Sequence, residues 1–498
     1  METAFSRSLK SNRLLLNAML RMDLNDDLVT RPFQALGLDG LLLYVEGMAS
    51  GNQIGESILR PLLRCPQTLT GRAALETAAR QIIEAAELKL ETNPGKAVGE
   101  MLRGQCLVLL DTAAAALVVD VRGYVRRGVS TPQTENVVIG PHESFTEALR
   151  DNLTLMHRLL PTPAFLCRMT QVGDQIATPV ALCYLDGVCP SETVQEIRRR
   201  LDGCAVDHVL TLGMLNQLLE DDPWAPLPQA VLTERPDRVA SFLLEGQAVL
   251  LMEGSPYGLC LPMCLWHLFH APDDSYMRWQ YGTFMRLVRL AGAVLSLLLP
   301  GVFLSAVLFH PIALPMSLLT NIIQSRSVVS ISLFGEALLM ITVFNLINEA
   351  SARIPGLLGS SFGLVSALIL GTAAVDAGLV SPMLLIVVAL SGLGSYALPS
   401  YPLSFAVRIG QFLLTLAGGL IGMPGVCLLL VLFVIRVAGM DSMGRPYLAP
   451  RTPFRVHNPD LAIRAPVFRQ RLRSWLADSF HMLRARGPMR RFEKGGRK

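Results

Sequence analysis

The chain has 498 residues, of which 51% are hydrophobic, 17% charged and 6% aromatic, and its formal net charge is +4. Soluble domains carry roughly 25% charged residues, so this composition argues against an ordinary soluble enzyme and predicts a chain that lies partly in a membrane. It also argues against disorder, which requires the opposite balance. The small net charge and the few aromatic residues argue against nucleic-acid binding.

Residues 1–36 are predicted to be an N-terminal arm, and they lack the apolar run and cleavage site of a signal peptide. Residues 37–284 have an ordinary soluble composition, in which short β-rich runs alternate with helical periods. We therefore predict an α/β domain of two repeated modules, residues 37–160 with a connecting segment and residues 161–284. The nine cysteines lack the spacing of a secreted disulfide scaffold, which indicates a cytoplasmic domain with reduced thiols.

A weak internal repeat relates the two modules. YVEG (Tyr44 to Gly47) ends an apolar run in the first module, as YLDG (Tyr184 to Gly187) does in the second. Further on, RGQCLVLLD (Arg103 to Asp111) aligns with EGQAVLLME (Glu245 to Glu253) at nearly the same offset. The matches fall on strand ends and turns, so they indicate a duplicated fold with glycine at positive φ rather than a catalytic site.

A group of cysteines and histidines precedes the apolar half of the chain: Cys260, Cys264, His267 and His270. On a helix these residues would form one stripe, which could not surround a metal ion tetrahedrally, and zinc sites usually place a longer loop between the Cys pair and the His pair. We therefore predict an apolar helix face at the entrance to the membrane, with a metal site as the alternative.

Residues 285–437 are predicted to form an all-α polytopic membrane bundle with about four to six crossings. They contain five apolar windows of about 20 residues: Leu287 to Phe309, Val328 to Ile347, Leu357 to Val380, Met383 to Val407 and Phe412 to Val434.

Both ends of this region are basic: Arg278, Arg286 and Arg289 lie at its start, and residues 438–498 form a basic tail. The positive-inside rule then places the N-terminal domain and the tail in the cytoplasm and requires an even number of crossings. One window must therefore be re-entrant, broken or split. The candidate breaks contain proline or glycine: HPIALP (His310 to Pro315), SYALPSYP (Ser395 to Pro402) and GGLIGMPG (Gly418 to Gly425).

The polar residues within the apolar half are the candidates for function, because ionisable groups at membrane depth usually line a bundle interior or a watery path. Asn345, Asn348 and Glu349 share one face of a predicted helix, and Glu349 with Arg353 is an i,i+4 pair of opposite charge. The alternative is that residues 348–353 anchor the helix end among lipid headgroups, a role favoured for Asp376. The predicted pore or gate residues are Glu336, Asn345, Asn348, Glu349, Arg353 and Asp376.

No established catalytic or nucleotide-binding motif stands in a suitable context, so no catalytic residue, metal ligand or cofactor is predicted. An intramembrane enzyme would need a nucleophile with a recognisable base partner. We retain that function only as a remote alternative.

The sequence resembles the spore germination protein A-subunit family, the GerA-type membrane subunit of nutrient germinant receptors, from about Leu41 to Phe454. The most specific segments are PQTENVVIGPHESFTEAL (Pro132 to Leu149) and TERPD (Thr233 to Asp237). The other landmarks follow in the same order as in the family: YVEG, YLDG, GTFMRLVRLAG (Gly282 to Gly292), NEASARIP (Asn348 to Pro355), AAVDAGLVSP (Ala373 to Pro382) and PYLAP (Pro446 to Pro450).

The resemblance implies a non-enzymatic subunit in the inner membrane of a bacterial endospore. It also implies a transporter-like B subunit and a lipoprotein C subunit as partners, and a homo-oligomeric channel that releases ions when a nutrient binds. A scaffold without a pore is the alternative.

The chain departs from the family pattern near F-E-L-L-R-E-A-G-x-R-x-P, because Asn345, Asn348 and Ser351 stand where Glu, Arg and Gly are typical. Gating or ion preference could differ in consequence. An accessory subunit of the spore stage V AF type is the runner-up, but Glu349, Arg353 and Pro355 keep a pattern that this type usually lacks.

Overall fold

The structure is a computed structural model that describes residues 4–123, 132, 135, 137–353, 369–455, 458, 460–461, 463–477 and 482–484. Within these ranges, two α/β modules precede a group of long apolar helices, and the residues that follow the last helix return to the second module.

The first module is an antiparallel sheet with the order β1-β2-β4-β5-β3. Its strands are β1 (Leu28–Ala35), β2 (Leu38–Val45), β3 (Leu88–Glu91), β4 (Cys106–Leu110) and β5 (Ala116–Val119). Helical residues 51–64 and 72–82 cover one face, while α1 (Leu9–Leu20) and α2 (Pro94–Met101) cover the other. Coverage of both faces explains why β4 and β5 are continuous apolar runs.

The boundary predicted at residue 37 falls in the turn between β1 and β2, so part of the predicted N-terminal arm belongs to the first sheet. β1 is an edge strand on which Arg31 and Pro32 are exposed. These residues interrupt the apolar alternation by which a strand is recognised in a sequence.

The second module has the sheet order β6-β7-β9-β10-β8. This is the same arrangement as in the first module, with β6 in the place of β1 and β8 in the place of β3. The strands are β6 (Phe165–Val172), β7 (Thr178–Leu185), β8 (Val231–Thr233), β9 (Ala248–Met252) and β10 (Gly258–Leu261). One face packs on α3 (Leu149–Leu159) and α6 (Pro236–Leu244), the other on α4 (Ser191–Asp202) and α5 (Leu212–Leu219).

The glycines of the internal repeat adopt left-handed backbone conformations at equivalent places. Gly47 and Gly187, which follow β2 and β7, have φ of 82° and 75°, and Gly104 and Gly246, which precede β4 and β9, have φ of 98° and 94°. These values confirm the prediction that the glycines occupy positive φ. Glycine stands at these places because other residues rarely adopt that conformation.

The prediction of a helical stripe from Cys260 to His270 is wrong. Cys260 lies in β10 opposite Val249, and Cys264 precedes a short 3₁₀ helix, Leu265–Phe269. Pairing with β9 holds the first part of this segment extended, so the four side chains do not share one helix face. The Cys264 backbone N–H donates to His267 Nδ1 at 3.2 Å, and burial, followed by the charges of Arg238 and Arg286, lowers the pKa of His267 to about 4.

The apolar helices are α7 (Trp279–Phe309), α8 (Met316–Arg326), α9 (Leu333–Arg353), α10 (Pro382–Tyr396), α11 (Tyr401–Leu420) and α12 (Met423–Ala438). Residues 369–376 are helical as well. In the described part of the chain, three helical segments are long and apolar enough to cross a membrane: α7, residues Leu333–Ser351 of α9, and α11. The predicted window Leu357 to Val380 lies partly outside the described residues.

The windows Met383 to Val407 and Phe412 to Val434 are wrong, because this stretch forms three helices. Residues 397–400 separate α10 from α11, and residues 421–422 separate α11 from α12. The Ser400 hydroxyl accepts from the Leu403 N–H at 3.4 Å and caps α11, and Gly422 has φ of 79°. Both breaks lie in proline- and glycine-bearing segments that we predict as candidates.

Close backbone contacts join α7 to α10 and α11. A Cβ on Gly292 would lie 3.0 Å from the Gly394 oxygen, and a Cβ on Gly301 would lie 2.6 Å from the Leu414 oxygen. Helices in a membrane associate through such small residues, because these allow close backbone approach.

The helical region begins and ends on the second module. Before α7, Leu268 lies in the core of the second module, and buried Asp274 accepts from Arg286 Nε at 3.0 Å and Arg289 Nη1 at 2.8 Å. After α12, Tyr447 is fully buried in the core of the second module and donates to the Pro228 oxygen at 2.7 Å. The predicted basic tail is therefore packed against the α/β domain at its start, and two arginines of the basic flank are buried ion-pair partners.

Candidate functional site

A groove of about 690 Å³ lies between α9 and α11 and is lined by several polar residues of both helices. Asn345, Asn348 and Glu349 line it from α9, as their helical spacing predicts. Arg408 lines it from α11. A carboxylate, two amides and a guanidinium thus meet in a region where most side chains are apolar.

Asn348 is the most unusual residue of the groove. Its side chain is 8% exposed, and within the described part of the chain neither its Oδ1 nor its Nδ2 has a hydrogen-bond partner. Because an unpaired buried amide costs about 1–3 kcal/mol, packing alone does not account for it. Asn345 is half-buried and Glu349 is exposed to the groove.

Arg408 is held by residues at the end of α10. Its Nε donates to the Ser395 Oγ at 3.3 Å, and its guanidinium lies 5.4 Å from the centroid of the Tyr396 ring. Such a cation–π contact stabilises a partly desolvated arginine. The charge of Arg408 is therefore positioned at the groove.

Glu336 lies outside the groove and contacts the start of α10. Its Oε1 accepts from both the backbone N–H and the hydroxyl of Ser381 at 2.5 Å, and its Oε2 lies 3.6 Å from Arg326 Nε. The carboxylate is fully buried. A carboxylate at a helix N-terminus is stabilised by the unpaired N–H groups there, so Glu336 joins α8, α9 and α10.

Two further predicted residues lie apart from this arrangement. Asp376 is exposed and is the last of helical residues 369–376, which agrees with its predicted place near a helix end. Arg353 is the last residue of α9, and its side chain lies outside what the structure describes.

Sequence reasoning missed Arg408, Tyr396 and Tyr401 as residues of the groove. The predicted windows ended at Val407 and resumed at Phe412, which placed Arg408 in a link between two spans. In the structure Arg408 lies within the continuous helix α11. The available signal was an isolated arginine between two apolar runs.

A model of the GerA family, described as Bacillus/Clostridium GerA spore germination protein, matches residues 16–475. Spore germination protein KA of Bacillus subtilis (strain 168) is 31% identical, over 83% of this chain and 76% of its own. Spore germination protein A1 of the same organism is 31% identical over 94% and 95%. Spore germination protein GerQA of Bacillus cereus is 36% identical over 74% of each chain.

A crystal structure of the N-terminal domain of the A subunit of the Bacillus megaterium spore germinant receptor GerK3 is also similar. It is 26% identical, aligns with 52% of this chain and 96% of its own, and has a TM-score of 0.41. The match over residues 16–475, together with relatives of nearly the same length, shows that the chain belongs to the GerA family of spore germination proteins.

Proposed function

We propose that this chain is the membrane subunit of a spore nutrient germinant receptor, and that several copies form a ligand-gated channel that releases ions at the start of germination. The observation that carries the proposal is the groove between α9 and α11, where buried Asn348 keeps both amide atoms without a partner in the described structure. Unpaired polar atoms beside a groove can replace part of the hydration shell of a passing ion.

The charges of the groove define its role in this proposal. Glu349 supplies a negative group that attracts cations, and Arg408 is held back against Tyr396 and Ser395. A rearrangement between α9 and α11 would change the distance between these charges. The groove would in this way act as gate as well as path.

The topology that we infer has an even number of crossings, with the α/β domain and the tail in the cytoplasm and the helices in the spore inner membrane. Support comes from the two ends of the helical region, since Leu268 before α7 and Tyr447 after α12 both lie in the core of the second module. A chain that leaves and returns to one side of a membrane crosses it an even number of times.

The partners that we infer are a transporter-like B subunit, a lipoprotein C subunit and further copies of this chain. We also infer that the two α/β modules are duplicates. The shared sheet order and the matching glycines at positive φ support the duplication, and a repeated module offers equivalent surfaces to neighbouring copies.

Substitution of Glu349 by Gln tests the channel. We expect monovalent cation release from nutrient-treated spores to fall roughly tenfold, which corresponds to 1.4 kcal/mol, while the protein remains at its normal level. Asp376→Asn is the matched control, because it removes an exposed carboxylate outside the groove. Unchanged release in Glu349→Gln would favour a scaffold without a pore. Equal losses of release in both variants would show that the effect is not specific to the groove.

A further inference from the structure

A cluster of buried ligand-type side chains lies at the junction of the two α/β modules, far along the chain from the groove. Asp27 immediately precedes β1, His157 is on α3, and Cys167 is on β6. One carboxylate oxygen, one imidazole nitrogen and one sulfur from these residues all lie within 4.8 Å of one another. All three residues are at most 2% exposed.

The neighbouring strand adds a fourth ligand-type atom. Cys183 of β7 is paired directly opposite Cys167, and the two sulfurs are 3.4 Å apart. Cys183 is also fully buried. The group therefore contains a carboxylate, an imidazole and two thiols.

The residues directly before β1 contact both β6 and α3 and so bring this group together. The Asp26 N–H donates to the Cys167 oxygen at 3.0 Å, so residues before β1 run along the outer edge of β6. From α3, His157 Nε2 lies 3.1 Å from Asp27 Oδ2, and Arg150 Nη1 donates to Asp27 Oδ1 at 3.0 Å. The four side chains are thus brought together by both modules.

We propose that Asp27, His157, Cys167 and Cys183 bind one zinc ion, which joins the two modules. Tetrahedral zinc takes oxygen, nitrogen and sulfur ligands at about 2.0–2.3 Å, which places neighbouring ligand atoms roughly 3.3–3.8 Å apart. The observed separations of 3.1 Å between His157 and Asp27 and 3.4 Å between the two sulfurs lie close to this range. Cys183 lies outside the group whose ligand atoms are all within 4.8 Å of one another, so its sulfur must move towards Asp27 and His157 to complete the site. Two thiolates with an imidazole select zinc over magnesium or calcium.

The surroundings fit a bound divalent cation. Zinc would bind Oδ2 of Asp27, which lies 3.1 Å from His157 Nε2, while Oδ1 accepts from Arg150. Hydrogen bonds of this kind orient carboxylate ligands in known sites.

The test is the metal content of the full chain, produced without a histidine tag, in zinc-supplemented medium, and purified in detergent with a thiol reductant. We expect about one zinc per chain in the unmodified protein and in Cys106→Ser, which replaces a buried thiol of the first sheet outside the cluster. We expect Cys167→Ser and Cys183→Ser each to bind at most about one tenth of the zinc bound by the unmodified protein.

A second measurement does not depend on the folding of these variants. Chelation of the unmodified protein should lower its melting temperature and zinc should restore it, and cobalt in place of zinc should show the sulfur-to-cobalt absorption of a tetrahedral thiolate site. Three results would overturn the proposal: a folded chain without zinc, equal zinc content in Cys167→Ser and Cys106→Ser, or a disulfide between Cys167 and Cys183 in peptides mapped without reduction.

Discussion

Buried polar residues of the apolar helices divide into two kinds. Glu336 is fully buried and its Oε1 accepts two hydrogen bonds, whereas Asn348 is nearly as buried and both its amide atoms lack partners in the described structure. The rarity of charge in this half of the chain predicted both residues as candidates. It could not separate them, because their partners come from elements distant in sequence, such as Ser381 at the start of α10.

Glu336→Ala is expected to destabilise the helical region by about 3 kcal/mol, because it removes the carboxylate beside Arg326 and the acceptor of the Ser381 N–H. The measurement is the melting temperature of the purified chain in detergent. Asp376→Ala is the control, since it removes an exposed carboxylate at the end of helical residues 369–376 and should change stability by less than about 0.5 kcal/mol. Equal melting temperatures in the two variants would contradict the structural role of Glu336.

At the scale of elements, hydropathy located the apolar region, but it misplaced the boundaries of the last three helices. Leu, Val and Ile continue on both sides of residues 397–400 and 421–422, so a window average does not detect the breaks. The Ser400 cap and the positive φ of Gly422 determine them instead. Strand β1 was missed for a comparable reason, because its edge position exposes polar residues.

The helix packing gives a prediction about Gly301. In Gly301→Ala the new Cβ would lie 2.6 Å from the Leu414 oxygen of α11, so the helices must separate, and we expect a loss of about 1–3 kcal/mol. Gly371→Ala is the matched control, because its Cβ would meet only Leu385 at an ordinary 3.6 Å. Thermal unfolding in detergent compares the two, and an undiminished melting temperature in Gly301→Ala would show that this contact is not important.

At the scale of the whole molecule, composition and resemblance predicted an α/β domain followed by a membrane bundle. The first part of the tail was predicted only as a basic flank. It packs into the second module because Tyr447 is buried there and because the Ser442 hydroxyl donates to the Gln229 oxygen at 2.8 Å. Such contacts join residues more than two hundred positions apart, and no local pattern in the sequence predicts them.

The inferred topology can be tested with introduced cysteines in a Cys65→Ser, Cys204→Ser, Cys427→Ser background, because these three cysteines are not buried. Trp224→Cys in the second module and Phe454→Cys in the tail should react with an impermeant maleimide in inside-out vesicles. Ile312→Cys, 98% exposed just beyond the far end of α7, should react in right-side-out vesicles. α7 has 31 residues and spans about 46 Å, more than a bilayer core of about 30 Å. Labelling of all three positions from one side would contradict a crossing by α7.

The central claim, that the groove between α9 and α11 conducts ions, is tested most directly by Asn348→Leu. Leu has a similar volume and removes an amide whose atoms have no partner in the described structure, so stability should be unchanged or higher. The measurement is the rate of monovalent cation release from nutrient-treated spores at equal receptor level. The account predicts at least a roughly tenfold slower release, or 1.4 kcal/mol, from a protein that is no less stable. Release at the unmodified rate would contradict it.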